Sequence, residues 1–463
     1  MNNNKRFSIP LAVISLATGA AMMSAQALAD SNLGGERLTR FGAEKAGNAD
    51  GSIPAYTGGL KDTPANYVPG SGRYPNPFAS EKPVVVVNAA NMKEHEKFLT
   101  PTIKHLMEKF PEFYINVYPT HRTNRYPEWV LENTERNAKT AKLTGKVQGD
   151  GVEGAFGGIP FPVPNNGNEV MWNFLLHYRP AWTEWLNANY VVRSSGSVTN
   201  AGIFDGYVMN RYYDRQQSKL EDPYFFQYLS KGVGPASQVG YNLILTNSVN
   251  YSEANNLSWV YTPGQRRVRT APEFSYDTPA ANFGGTVLYD EINMFAGRQD
   301  RFDFKLIGKE EKYVPYNVYR SAEGEIPTKE EYLTPNYSNP KFQRFEKHRV
   351  WVVEATLKEG ARHVVPKKRF YVDEDSWIIL EVAGYDRAGQ LYRAALNYPF
   401  FAYDKGTPVM NFLPIEVFDL NKGYYLSSNN VNERPEQYRF TFSEAIKDPS
   451  ILDPNRMAAR GIR

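Results

Sequence analysis

Two spacings of apolar residues divide this chain. Ile103, Leu106, Met107 and Phe110 recur at i, i+3, i+4 and i+7, which predicts a helix restarted by Pro101 after a shorter turn from Asn91 to Phe98. Glu132–Leu143 reads as a polar helix closed by Gly145. Glu169–Tyr178, carrying Met171, Trp172, Leu175 and Leu176, reads as a short amphipathic helix stopped before Pro180. From about Ala181 the period becomes two. Strands are expected at Tyr190–Arg193, Gln238–Thr246, Ser258–Tyr261, Arg266–Arg269, Arg301–Leu306 and Arg349–Leu357. Five more follow at Arg369–Val372, Trp377–Val382, Leu391–Leu396, Ile415–Asp419 and Tyr438–Phe442. In Arg301–Leu306 the apolar Phe302, Phe304 and Leu306 alternate with Arg301, Asp303 and Lys305. Such alternation marks antiparallel strands with one wet face and one buried face. Pro263-Gly264 suits a type II hairpin turn, and Asp373–Ser376 and Asp386–Gln390 read as short polar loops.

Ahead of the helices, Asp30–Pro83 is crowded with Gly, Pro and Asn and reads as an extended, turn-filled arm. Lys5 and Arg6, the apolar run Phe7–Met23, and Ala27-Leu28-Ala29 come in the order of a secretory signal peptide cut before Asp30. No later stretch reaches the length of an apolar spanning helix. The expected organisation is a signal peptide (1–29), an arm (30–83) and a single domain (84–463). Its helical part covers 84–180 and its antiparallel sheet 181–463. The fold class is mainly β (α+β): a large curved antiparallel sheet or half-barrel covered by helices.

Composition removes several chemistries. The sequence has no cysteine, which excludes disulfides, thiol catalysis and iron–sulfur clusters. A formal charge of +3 over 463 residues, with no basic stripe, gives no reason to expect a nucleic-acid partner. The six histidines form no H-E-x-x-H and no i, i+4 pair, so no metal site is expected. Ser194-Ser195-Gly196 lacks the leading glycine of a nucleophile elbow, and Gly154–Gly158 lacks the Lys-Ser/Thr ending of a phosphate loop. Asp373-Glu374-Asp375 lacks EF-hand spacing and reads as a solvated loop. No catalytic residue and no cofactor is therefore assigned. Aromatics are abundant: 7 Trp, 31 Tyr and 26 Phe.

Trp259-Val260-Tyr261-Thr262-Pro263-Gly264-Gln265-Arg266-Arg267-Val268-Arg269 reads as a hairpin, aromatic on one arm and basic on the other. Its arginines can lie over apolar surface or pair with carboxylates, or they can greet a polar group at the rim of an apolar cavity. The run Trp259–Asp277 resembles the exported proteobacterial family known as domain-of-unknown-function family 1329. So do Gly158–Pro162 with Glu169 and Trp172-Asn173, Phe302–Lys309, Val314–Asn317 and Arg369–Trp377, in that order along the chain. That family is described as similar to outer-membrane lipoprotein-sorting carriers of the LolA/LolB type. The resemblance implies a curved antiparallel half-barrel closed by helices over an acyl-chain cavity. It also implies periplasmic location, possible outer-membrane association, and work beside an RND-type exporter and an outer-membrane partner.

The function expected on this basis is non-enzymatic binding or carriage of a lipid or other hydrophobic molecule. Candidate cavity-wall residues are Trp259, Tyr261, Met294, Phe295, Phe302, Phe304, Trp351 and Trp377, with Arg266 and Arg267 at the mouth. The alternatives are an exported lipid or glycan hydrolase, which needs a convergent triad or carboxylate pair, and an outer-membrane-associated scaffold that adds a strand to a partner's sheet.

Overall fold

The computed structural model describes residues 32–270, 276–280, 283–322, 326, 328–411, 414–431 and 440–461, so the expected signal peptide lies outside it. Twenty strands are described. They begin with β1 (Val85–Asn88), β2 (Tyr114–Val117), β3 (Lys142–Thr144), β4 (Gly151–Glu153), β5 (Trp182–Arg193), β6 (Val198–Asn210) and β7 (Tyr224–Gly234). Next come β8 (Asn242–Ser248), β9 (Leu257–Thr262), β10 (Arg267–Thr270), β11 (Phe302–Pro315), β12 (Phe345–Leu357), β13 (Lys367–Asp373) and β14 (Ile379–Tyr385). The last are β15 (Leu391–Asn397), β16 (Phe400–Ala402), β17 (Val409–Asn411), β18 (Ile415–Asp419), β19 (Tyr424–Asn430) and β20 (Phe440–Ser443).

Sixteen of these strands form one sheet, ordered β1-β2-β12-β13-β14-β15-β18-β19-β5-β6-β7-β8-β9-β10, with β11 also on β12 and β20 also on β5. Pairing is antiparallel except where Phe345 of β12 meets Val117 of β2. The sheet stays open, with β1 and β10 as its ends. The protein is mainly β, as the alternating pattern predicts. β1 and β2 come from within 84–180, the stretch expected to be helical, and join the sheet through β12.

Both faces of the sheet carry buried clusters, where the alternating pattern predicts one wet face. On one, the helix Pro101–Lys109 packs Ile103, Leu106 and Met107 into a cluster with Leu396, Phe418 and Tyr425. Pro101 stands at its first turn, and Thr100 caps it by accepting from the Ile103 amide. Farther along that face, Leu452 and Met457 of the C-terminal segment cover Trp182, Met209, Leu229, Ile244 and Tyr261. On the other face, the helix Gly167–Leu175 lies against β11 and β12 in the largest core. The Asn166 side chain accepts from the Glu169 amide at 3.0 Å, and the Glu169 carboxylate accepts from the Asn165 amide at 2.6 Å. This reciprocal cap fixes the start of that helix.

Residues 32–83 run through turns and bends ahead of β1, and the anchors of this arm are buried. Phe41 is 3% exposed and Tyr74 2%. The Asp373-Glu374-Asp375 loop is buried as well, against expectation, because the arm and distant cations cover it. Arg122 grips Asp375 with Nε at 2.8 Å and Nη2 at 2.6 Å, while Lys309 and Arg349 reach Glu374 at 2.8 and 3.2 Å. Arg349 and the Trp377 indole also donate to the carbonyls of Ala46 and Phe41, tying the arm down. Buried carboxylates persist only when paired in this way. Asp373 accepts from Tyr316 Oη at 3.0 Å and Ser376 Oγ at 2.5 Å; burial, then the Asp375 charge, pushes its pKa up to about 6. The β9–β10 connection is not a type II turn. Pro263–Gln265 forms a 3-10 turn, and the left-handed residue is Arg266, at φ 47°.

Candidate ligand-binding cavity

Seven adjacent strands, β18-β19-β5-β6-β7-β8-β9, leave one face partly uncovered, and a cavity lies on it. Its interior room is about 180 Å³, and the hollow reaches about 1860 Å³ when the open solvent at its mouth is included. An apolar void of about 150 Å³ is enough to bind benzene. The alternation of each strand supplies the floor: Thr183, Trp185, Asn187 and Asn189 from β5, Phe204 and Val208 from β6, Phe226, Tyr228 and Ser230 from β7. Leu245 and Asn247 of β8, Ser258 of β9, Ile415 and Val417 of β18, and Leu426 and Ser428 of β19 extend it. Phe440 and Phe442 of β20, paired with Trp185 and Thr183, continue the floor, and the lining is completed by residues of the 276–298 segment, among them Phe283, Val287, Tyr289 and Ile292, with Met410 of β17.

Register explains the floor's centre. Trp185 pairs with Gly206 and Gly206 with Ser230, while Val208 pairs with Tyr228 and Tyr228 with Leu245. A Cβ on Gly206 would meet the Trp185 ring at 2.0 Å, so the glycine lets the indole lie flat across the sheet. Trp185 and Tyr228 then stack with centroids 5.7 Å apart and 26° between planes.

The charges around the cavity have partners. Arg298 binds Asp150 at 2.9 Å and approaches Asp300 at 3.5 Å; Glu291 holds Arg393 at 2.5 Å. Arg179 donates from Nε to His177 Nε2 at 2.9 Å and lies 5.3 Å over the Phe226 ring. Burial lowers the Arg179 pKa to about 10, leaving it charged at neutral pH. Burial, then Arg179, holds His177 well below the usual imidazole range, so it is neutral. The remaining polar lining is neutral and dominated by asparagine. No group of three or more His, Asp or Glu able to hold a metal occurs among the described residues.

None of the ten residues expected at the wall or mouth lines this cavity. Trp259 and Tyr261 sit on the opposite face of β9, under the C-terminal segment. Phe302 and Phe304 do share a face, and it looks into the helix layer. There Phe304 stacks on Phe370 at 6.3 Å, and Phe295 meets both rings edge-on. Met294 borders a small separate hollow beside Lys368 and Phe370. Trp351 and Trp377 stack on each other 6.0 Å apart and 13° from parallel, next to the arm. Arg266 and Arg267 are exposed on the β9–β10 hairpin at the sheet's free edge. The floor residues that do line the cavity carry a weak sequence signal, because asparagine and serine at alternate positions read as solvent-facing.

Residues 86–457 match the family model described as Protein of unknown function (DUF1329). An uncharacterized protein of Pseudomonas aeruginosa is 37% identical over 431 residues, covering 93% of this chain and 92% of that protein. Among solved structures, a DUF1329 family protein from Desulfovibrio piger is similar with a TM-score of 0.42 and 14% identity, over 63% of this chain and 97% of its own. A LolA superfamily protein from Nitrosomonas europaea is similar with a TM-score of 0.34 and 10% identity, over 62% and 97%.

Proposed function

We propose that this chain, which belongs to the family described as Protein of unknown function (DUF1329), is a non-enzymatic carrier that holds a hydrophobic molecule on the cavity face of its sheet. The observation that carries this reading is the aromatic floor: seven neighbouring strands turn Trp185, Phe204, Phe226 and Tyr228 toward unfilled space. Elsewhere, Phe304, Phe370 and Trp172 are buried within the packed core. Apolar ligand surface taken from water into such a site gains about 25 cal/mol per Å². The Lys5-Arg6 pair, the Phe7–Met23 run and Ala27-Leu28-Ala29 support a periplasmic location. An RND-type exporter with an outer-membrane partner is the machinery this reading assigns to the carrier.

The test uses the mature protein and the hydrophobic dye 1-N-phenylnaphthylamine. Saturable binding should weaken at least tenfold in Leu245→Trp, which fills the cavity from β8, and stay unchanged in Trp259→Ala on the opposite face. No saturable uptake, or equal uptake by all three proteins, overturns the cavity reading. For the exporter, cross-linking in whole cells should capture an RND-type component; capture of none removes that part alone.

A further inference from the structure

The polar part of the cavity has a character of its own. Eight asparagines line it, and three of them, Asn187, Asn189 and Asn429, form one group on β5 and β19. Asn187 Nδ2 donates to Asn429 Oδ1 at 2.7 Å, and the Asn429 backbone N–H donates to Asn189 Oδ1 at 3.1 Å. Ser428 stands beside them in the lining. Asn187 is 5% exposed, and its Oδ1 has no hydrogen-bond partner among the described residues; neither does Nδ2 of Asn411, across the cavity on β17. An amide is donor and acceptor at once, and its unused capacity at a cavity wall is satisfied by a group that is also both. A hydroxyl has that property. A carboxylate only accepts, and a quaternary ammonium does neither.

The rest of the lining agrees. The carboxylate of Glu291 and the guanidinium of Arg298 are already paired, and Arg179 is engaged with His177 and Phe226. The Trp185–Tyr228 stack lies one register step along β5 from Asn187, offering a flat apolar surface next to the amides. Flat aromatic surface beside neutral amides suits a ring whose faces are C–H and whose edges are hydroxyls.

We infer that the molecule carried here is an amphiphile whose head bears neutral hydroxyl groups, with the amides of Asn187, Asn189 and Asn429 reading that head. This rests on the carrier reading above and narrows its ligand class. The head can be a sugar or a single ring or chain alcohol; the shared chemistry is the hydroxyl.

Four probes with the same twelve-carbon chain decide it: dodecyl maltoside, dodecanol, dodecanoate and dodecyltrimethylammonium. Each is titrated into the mature protein below its micelle concentration and followed by isothermal calorimetry. A hydroxyl-bearing probe should bind at least tenfold tighter than dodecanoate, a difference of 1.4 kcal/mol. The maltoside leading points to a sugar head and dodecanol leading to a lone alcohol. Asn187→Leu, checked for an unchanged near-ultraviolet circular dichroism spectrum, should erase that preference and leave dodecanoate affinity within twofold. If that variant fails to fold, Asn189→Leu, which removes another of the three amides, takes its place with the same expectation. Dodecanoate or the ammonium binding as tightly as the hydroxyl probes overturns the inference while the carrier reading stands. Binding of none of the four overturns both.

Discussion

Glu416 lies on β18 between Ile415 and Val417, two residues of the cavity floor, and its own side chain is fully buried on the opposite face. Tyr398 Oη donates to one carboxylate oxygen at 3.2 Å and Tyr332 Oη approaches the other at 3.5 Å. Burial raises its pKa from 4.5 to about 7, outweighing hydrogen bonds from Ser338, Tyr398 and Tyr332, which lower it. Between those two values the folded chain keeps a proton that the unfolded chain has released. The stability this group contributes is therefore complete below pH 4.5 and is lost as pH rises through 7. At about 1.36 kcal/mol per pH unit the whole interval is worth about 3 kcal/mol. Roughly 2.5 kcal/mol of it disappears between pH 5 and pH 8. Glu416→Gln keeps the shape and an acceptor for the tyrosines but has no proton to lose. Urea unfolding of parent and variant, followed by tryptophan fluorescence at pH 5 and pH 8, isolates the effect, since all other titrating groups are common to both. The variant should gain about 2–3 kcal/mol on the parent between the two pH values. A stability difference that does not change with pH, or that moves against the variant as pH rises, refutes the reasoning.

Glu381, beneath the helix Pro101–Lys109 and accepting from the Thr102 amide at 3.3 Å, is also raised to about 7 by burial, so Glu381→Gln should show the same sign in the same assay. Arg122→Ala strips the cation from the buried Asp375 and should cost about 3–5 kcal/mol by urea unfolding, with early protease cleavage in the arm. Gly206→Ala drives a Cβ into the Trp185 ring, so it should lower stability by about 1–3 kcal/mol and shift the tryptophan emission. Phe304→Ala empties a packed site beside Phe370 and should cost about 3–5 kcal/mol while leaving dye affinity per folded molecule unchanged.

The strands legible in the sequence are the short runs dense in apolar and β-branched residues, such as β12 and β18, whose spans lie close to the expected ones. β6 and β7 were silent for a physical reason. Gly202 and Gly206 interrupt β6, the second because Trp185 lies across it, and a cavity face carrying Ser230 beside Tyr228 breaks the alternation of β7. The cavity itself was hidden in the same way. Its floor mixes Asn187 and Asn189 with Trp185, and an asparagine facing a cavity looks like an asparagine facing water. The aromatic residues that did stand out, Phe302, Phe304 and Trp377, are conspicuous because they fill the packed half of the sheet. The Asp373-Glu374-Asp375 loop misled because its cation, Arg122, arrives from 253 positions away, a distance that local charge pattern cannot reveal.

The most direct test of the carrier account is native mass spectrometry, with solvent extraction, on the mature protein purified gently from periplasm. The account predicts a one-to-one adduct that dissociates as an apolar, hydroxyl-bearing molecule and is missing from Leu245→Trp with its fold intact. A bare polypeptide mass from the parent protein, unchanged after incubation with fatty acids, sterols and glycolipids, would contradict it.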